Sequence, residues 1–264
     1  MREASARDAR IVHFPEGAIC FPNKLIMSVD GPDTVGPADW DRYQWAVAQA
    51  ELAAIAELAR ELRLWTVIAA VHRLTEPNRP AQQSLRPLRS RRGCHAIRRA
   101  PACRTRRSRT CTPPGLAPVT FDLQGMRFGC LLGIEIHYPE LFRRVRDAGR
   151  RLRPVLHDRS PPRATPPFRL KGNAASNSYW VSFSVPTQHG ATAPSGSIAP
   201  NGDWLGRCPA DGSPSVAVVD LDDRSEAAAE SVVYARPCVG KSRGGIYTGH
   251  QVADQRSEDR TAAF

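Results

Sequence analysis

An α/β domain is the fold class that the 264-residue sequence predicts, on three observations. An apolar run, an amphipathic helical period and a second apolar run follow one another with short connections between Ile11 and Val71. Further along, strand-like segments alternate with glycine-containing turns, and no internal repeat is found. The length suits one buried core better than two.

Ile11 to Phe14 reads as a buried strand that stops at Pro15-Glu16-Gly17 and exposes Glu16 at its carboxyl end. Buried parallel strands of α/β folds present functional groups there, although a turn carboxylate in solvent is the blander reading. Between Asp39 and Arg63, Leu52, Ile55, Ala59 and Leu62 recur at helical spacing with Glu51, Glu57, Arg60 and Glu61 on other faces. Trp65 to Val71 is rich in β-branched residues and completes a βαβ element.

After Leu85 the period collapses into arginine, proline and cysteine, and it recovers at Gly115. Val119 to Leu123 and Met126 to Ile136 read as strands around a Gln124-Gly125 turn. Pro139 to Arg151 reads as a helix with Leu141, Val145 and Ala148 inward, before a second collapse from about Arg151 to Lys171. Tyr179 to Val185 has the period of a half-buried strand, Ser195 to Leu205 reads as a hairpin turning at Asn201-Gly202, and Ser215 to Leu221 as one more strand. The expected organisation is a domain over 1–223, with disordered or misfolded insert-like segments at 86–113 and 151–171, and a tail over 224–264 that wraps the surface, pairs with another subunit or frays.

The two collapsed stretches also carry the charge. Arg86 to Cys111 holds ten arginines and no acidic residue, and Arg143 to Lys171 holds nine arginines and one lysine against two aspartates. Those +10 and +8 exceed the formal net charge of +11, so the remainder stands at −7. That remainder has the balance of an ordinary soluble protein, and the basic character belongs to two segments rather than to the fold. The arginine run contains no aromatics for base stacking, which argues against specific nucleic-acid binding.

Seven cysteines at irregular spacing, with no apolar leader, point to reduced thiols in a cytoplasm rather than to a disulfide scaffold. Cys94, His95, Cys103 and Cys111 fit no common zinc-ligand spacing, so no metal and no cofactor are expected. No apolar run reaches membrane-spanning length.

Three stretches together resemble the nitrilase superfamily of carbon–nitrogen hydrolases: Ile11-Val-His-Phe-Pro-Glu-Gly-Ala18, Arg127-Phe-Gly-Cys-Leu-Leu-Gly-Ile-Glu-Ile-His-Tyr-Pro-Glu-Leu-Phe142 and Asn173-Ala-Ala-Ser-Asn-Ser-Tyr-Trp-Val-Ser182. Ser195 to Trp204 is similar to that family's later hairpin, and the resemblance covers about two thirds of the chain. It implies a four-layer αββα sandwich, here incomplete at the N-terminus and disrupted at about 86–113 and 151–171. It also implies hydrolysis of a small nitrile or amide by a cysteine nucleophile, a glutamate base and an oxyanion-holding lysine. The chemistry explains each role. An ordinary thiol, with a pKa of about 8.5, needs a base near neutral pH, and the tetrahedral intermediate carries a charge that a fixed cation stabilises.

By this resemblance Glu16 is the general base, and the nucleophile position falls on Gly133. Glu135, Asn177 and Trp180 are expected to line the substrate pocket, with core packing as the alternative for Trp180. Cys130, three residues before Gly133, should face the opposite layer as a small core residue. None of Lys24, Lys171 and Lys241 is placed for the lysine role, and Arg98 or Arg99 would be a poor substitute. Impaired hydrolysis is the expectation, with an inactive binding or assembly member of the family as the alternative. A homo-oligomer is expected if the chain folds. The abrupt stop and resumption of the family pattern suggests that both basic segments are read out of frame relative to an ancestral gene. Replacing a core strand by such a segment predicts a marginal or aggregating product.

Overall fold

A computed structural model describes residues 1–15, 18–19, 43–72, 82–88, 96–97, 119–131, 133–147, 152–158 and 167–236. Its elements in chain order are α1 (Arg2–Ala6), β1 (Ile11–His13), α2 (Trp45–Glu61), β2 (Trp65–His72), β3 (Gln82–Leu88), β4 (Ala96–Ile97), β5 (Val119–Leu123) and β6 (Met126–Leu131). There follow α3 (Pro139–Asp147), β7 (Leu152–Asp158), α4 (Phe168–Asn177), β8 (Trp180–Ser184), β9 (Gly196–Ile198), β10 (Trp204–Arg207) and α5 (Glu226–Glu230).

The strands form two sheets. One runs β1-β2-β3-β4, with β1 parallel to β2 and Ile11 opposite Trp65. The other runs β10-β9-β8-β7-β6-β5, with β6, β7 and β8 parallel and the outer pairs antiparallel. The β5–β6 turn falls at Gln124 and Gly125, both at positive φ, as a two-residue hairpin with the right strand twist requires.

Three apolar clusters between these elements define four layers. Leu52 and Ala59 of α2 pack on Ile68 and Ala70 of β2, and this is the outer face of the first sheet. The alternate residues Val67 and Ala69 turn the other way and meet Phe121, Phe128 and Cys130 of the second sheet. Trp65, Phe121 and Phe128 stack across this inter-sheet core with centroids 5.3 and 5.2 Å apart, contacts worth about 0.5–1.5 kcal/mol each beyond area burial. On the far side, Leu131, Val181 and Phe183 pack against Leu141 and Phe142 of α3 and Leu170 and Ala174 of α4. Helix, sheet, sheet, helix is the αββα order expected from the sequence.

Helices α1, α2 and α4 end alike. The amide of Leu64 reaches the Ala59 carbonyl and that of Arg63 reaches Arg60, a Schellman arrangement. Ala9 with Asp8, and Tyr179 with Ser178, repeat the pattern. Asp8, Arg63 and Ser178 hold the left-handed position, where a residue other than glycine costs on the order of 1 kcal/mol.

Several bounds depart from the sequence reading. The expected strand Met126 to Ile136 ends at Leu131, because a 3-10 turn (Gly133–His137) intervenes before α3 opens on Pro139 at its first helical position. Helix α3 is described as far as Asp147, and the last four residues of the expected helix lie outside the described residues, while 215–221 is not assigned to a strand. The second collapsed segment contains β7 and the start of α4. Pro154 is tolerated in β7 because the strand carries one extra residue there: Arg127 faces Leu152, whereas Gly129 faces Val155. Of the first collapsed segment, Arg86 to Leu88 belong to β3 and Ala96–Ile97 form β4. The rest of 86–113, with the cysteines of the zinc reading, lies outside the described residues, as do Lys24, Lys241 and the tail beyond Arg236. Among the described residues no helix is long and apolar enough to cross a membrane.

Candidate functional site

Parallel pairing decides where the chemistry can gather. Leu131, His157 and Phe183 are level across β6, β7 and β8, so these strands end at one edge of the second sheet. Gly133 opens the 3-10 turn that follows β6 at this edge. Glu135 sits on the same turn and is completely enclosed. The turn closes with the Tyr138 amide donating to the Glu135 carbonyl at 3.1 Å.

Strand β1 of the other sheet arrives at the same edge. His13, its last residue, lies 3.1 Å through Nδ1 from Oγ of Ser182, two residues before the end of β8. With β7 between them, β6 and β8 are about 10 Å apart. Strand β1 therefore ends against β8, two strands over from β6, and Glu16 follows His13 by three residues. Glu16 itself lies outside the described residues.

Part of His13 is accessible, yet Nε2 is buried and has no hydrogen-bond partner among the described residues. Either tautomer leaves it so, since Nδ1 can accept from or donate to the hydroxyl of Ser182. Burial lowers the His13 pKa to about 3, so the imidazole is neutral at physiological pH. Sequence reasoning missed this pair. The available signal was a histidine in the otherwise apolar β1 and the serines that alternate with apolar residues in β8.

Asn177 and Trp180 lie elsewhere. They flank the left-handed Ser178 at the amino end of β8, and Trp180 pairs with Pro154, three residues before the level of Leu131. Asn177 donates through Nδ2 to the Asn173 carbonyl at 2.9 Å. Trp180 is 1% exposed, and the Arg236 guanidinium lies 5.6 Å from its ring centroid while donating to the Ser178 carbonyl at 2.9 and 3.0 Å. Core packing, the alternative reading of Trp180, describes its surroundings. The described structure thus brings Gly133, Glu135, His13 and Ser182 to one edge and leaves Asn177 and Trp180 toward the other. Cys130 is buried in the inter-sheet core, as its strand position predicted. Lys171 lies on α4, where its Nζ is 3.8 Å from a carboxylate oxygen of Asp203. Among the described residues no cluster of three or more His, Cys, Asp or Glu side chains is arranged to hold a metal.

No protein-family model matches the chain, and no curated protein matches its sequence. Solved structures do. A cysteine-to-serine variant of the Nesterenkonia AN1 amidase, from the nitrilase superfamily, superposes with a TM-score of 0.65 at 15% identity, covering 94% of this chain and 87% of that one. The cysteine-to-alanine variant of that amidase in complex with butyramide gives 0.63 at 17% identity, over 95% and 87%. A double variant in complex with acrylamide gives 0.64 at 15% identity, over 95% and 87%. At such identities the likeness is one of fold, and the chain has the fold of nitrilase-superfamily amidases.

Proposed function

We propose that this chain is a carbon–nitrogen hydrolase family protein, built for a nitrile or amide C–N bond and impaired because glycine stands at the nucleophile position. The supporting observation is the path of the backbone: β6 stops, a 3-10 turn begins at Gly133, and β1 ends at the same edge three residues before Glu16. In this reading Glu16 is the general base, and Glu135, held inside the turn, buttresses the residues around position 133. A structural neighbour of this fold carries acrylamide added at its active-site cysteine, an electrophile whose amide group belongs to the proposed substrate class.

The missing groups set the size of the defect. Losing a nucleophile costs on the order of 10⁶ in turnover, and losing one oxyanion-stabilising group a further 10² to 10³. The test is an amidase and nitrilase panel on the chain beside Gly133→Cys. The substitution is expected to raise amide or nitrile turnover at least about 100-fold while leaving it slow, because no lysine takes the oxyanion role. Adding Glu16→Gln to Gly133→Cys should remove the gain. No gain on any substrate with a folded variant contradicts the hydrolase reading.

Gly133 also favours a second reading, an inactive member retained to bind or assemble, since a residue without a side chain attacks nothing. Saturable binding of butyramide by the unaltered chain, with no turnover before or after Gly133→Cys, is the outcome that selects it. Assembly into a homo-oligomer is proposed for either reading and is read from sedimentation.

A further inference from the structure

At the end of the molecule away from the candidate site, where β1 and β2 begin, the ends of α1 and α2 and the β5–β6 turn enclose a cleft of 440 Å³. We propose that it binds a small organic carboxylate. Leu62, Trp65 and Leu123 supply the smaller, apolar part of the lining, and Ser5, Arg10, Arg63 and Gln124 supply donors. Among the described residues Asp8 is the one carboxylate on the lining, which leaves these residues with one net positive charge.

The arginines are not spent on the fold. Arg2, Arg60 and Arg127 are paired with Glu61, Glu57 and Asp122, whereas Arg10 and Arg63 have no side-chain ion pair or hydrogen bond among the described residues. Capping α1 or α2 is not what occupies them either, since Schellman bonds already take up the carbonyls of Ala4, Ser5, Ala59 and Arg60. Guanidiniums bind carboxylates by charge-assisted, often bidentate hydrogen bonds.

Isothermal titration with benzoate, and with neutral benzamide as its isosteric control, tests this. Benzoate is expected to bind one per chain with a millimolar Kd or tighter, and benzamide at least about tenfold more weakly. The double variant Arg10→Gln/Arg63→Gln should lose at least about tenfold in affinity, while Arg2→Gln, an exposed arginine outside the cleft, should bind like the parent. Ser5→Asp, which adds a carboxylate and removes no arginine, should weaken binding by a similar factor and serves if the double variant fails to fold. Absence of saturable heat, equal binding of benzamide, or undiminished affinity in the folded variants overturns the proposal. None of these outcomes depends on hydrolase activity, so the cleft and the hydrolase reading can fail separately.

Discussion

Burial lowers the pKa of His13 to about 3, whereas in the unfolded chain an imidazole titrates at about 6.5. Above pH 6.5 both states are neutral and His13 adds no pH dependence. Between 6.5 and 3 the unfolded chain takes up a proton that the folded chain refuses, so stability falls as pH is lowered, by at most about 1.4 kcal/mol per pH unit. Urea unfolding at pH 7 and pH 5 should show this loss, and His13→Gln should reduce it. An unchanged pH dependence in the variant would mean that the ring is accessible to protons in the folded state. The candidate site itself was only half legible in single residues. The stretch that carries Gly133 and Glu135 reads as strand in the sequence, whereas the chain passes through a 3-10 turn there. The His13–Ser182 contact joins residues 169 positions apart, a pairing that neither strand's period can announce. Trp180 is typical of both pocket walls and cores, and its burial to 1% exposure is a tertiary fact that the sequence does not carry.

Elements were legible where a period was uninterrupted. Strands β1, β2 and β5, helix α2 and the β9–β10 hairpin follow from alternation, helical spacing or a turn dipeptide. Strand β7 was not, because Leu-Arg-Pro-Val-Leu-His-Asp has the composition of a breaker and is held as a strand by β6 and β8 on its two sides. Two glycines separate the demands of helix and sheet. Gly172 lies inside α4 with nothing within 4 Å of an added Cβ, so Gly172→Ala should stabilise by about 0.5–1 kcal/mol. At Gly196 an added Cβ would stand 2.4 Å from the Gly206 carbonyl oxygen across the hairpin, so Gly196→Ala should destabilise by about 1–3 kcal/mol. Urea midpoints of both variants check the pair. Equal shifts would mean that β9 and β10 are not as close as described.

At the scale of the molecule, stability rests on three apolar layers, and the middle one is the thinnest in aliphatic contacts among the described residues. It depends on the Trp65, Phe121 and Phe128 stack. Phe121→Ala should cost about 3–5 kcal/mol, a large share of the 5–15 typical of a domain, and a broad or absent thermal transition in that variant is the expected readout. An unaltered midpoint would show that the two sheets do not share this core. The basic segments around 86–113 and 151–171 are where the sequence says least, because arginine-rich chain carries neither helical nor strand period. If they are out of frame, resequencing restores an uninterrupted motif. If peptide mass mapping confirms them beside an intact gene, that explanation ends.

Placement of position 133 at the open end of β6, with Cys130 turned into the core, carries the rest of the account. Its most direct measurement is adduct mapping on Gly133→Cys treated with acrylamide under native conditions and digested for mass spectrometry. The introduced thiol should be modified and Cys130 left intact. Modification of Cys130 with position 133 untouched would contradict it.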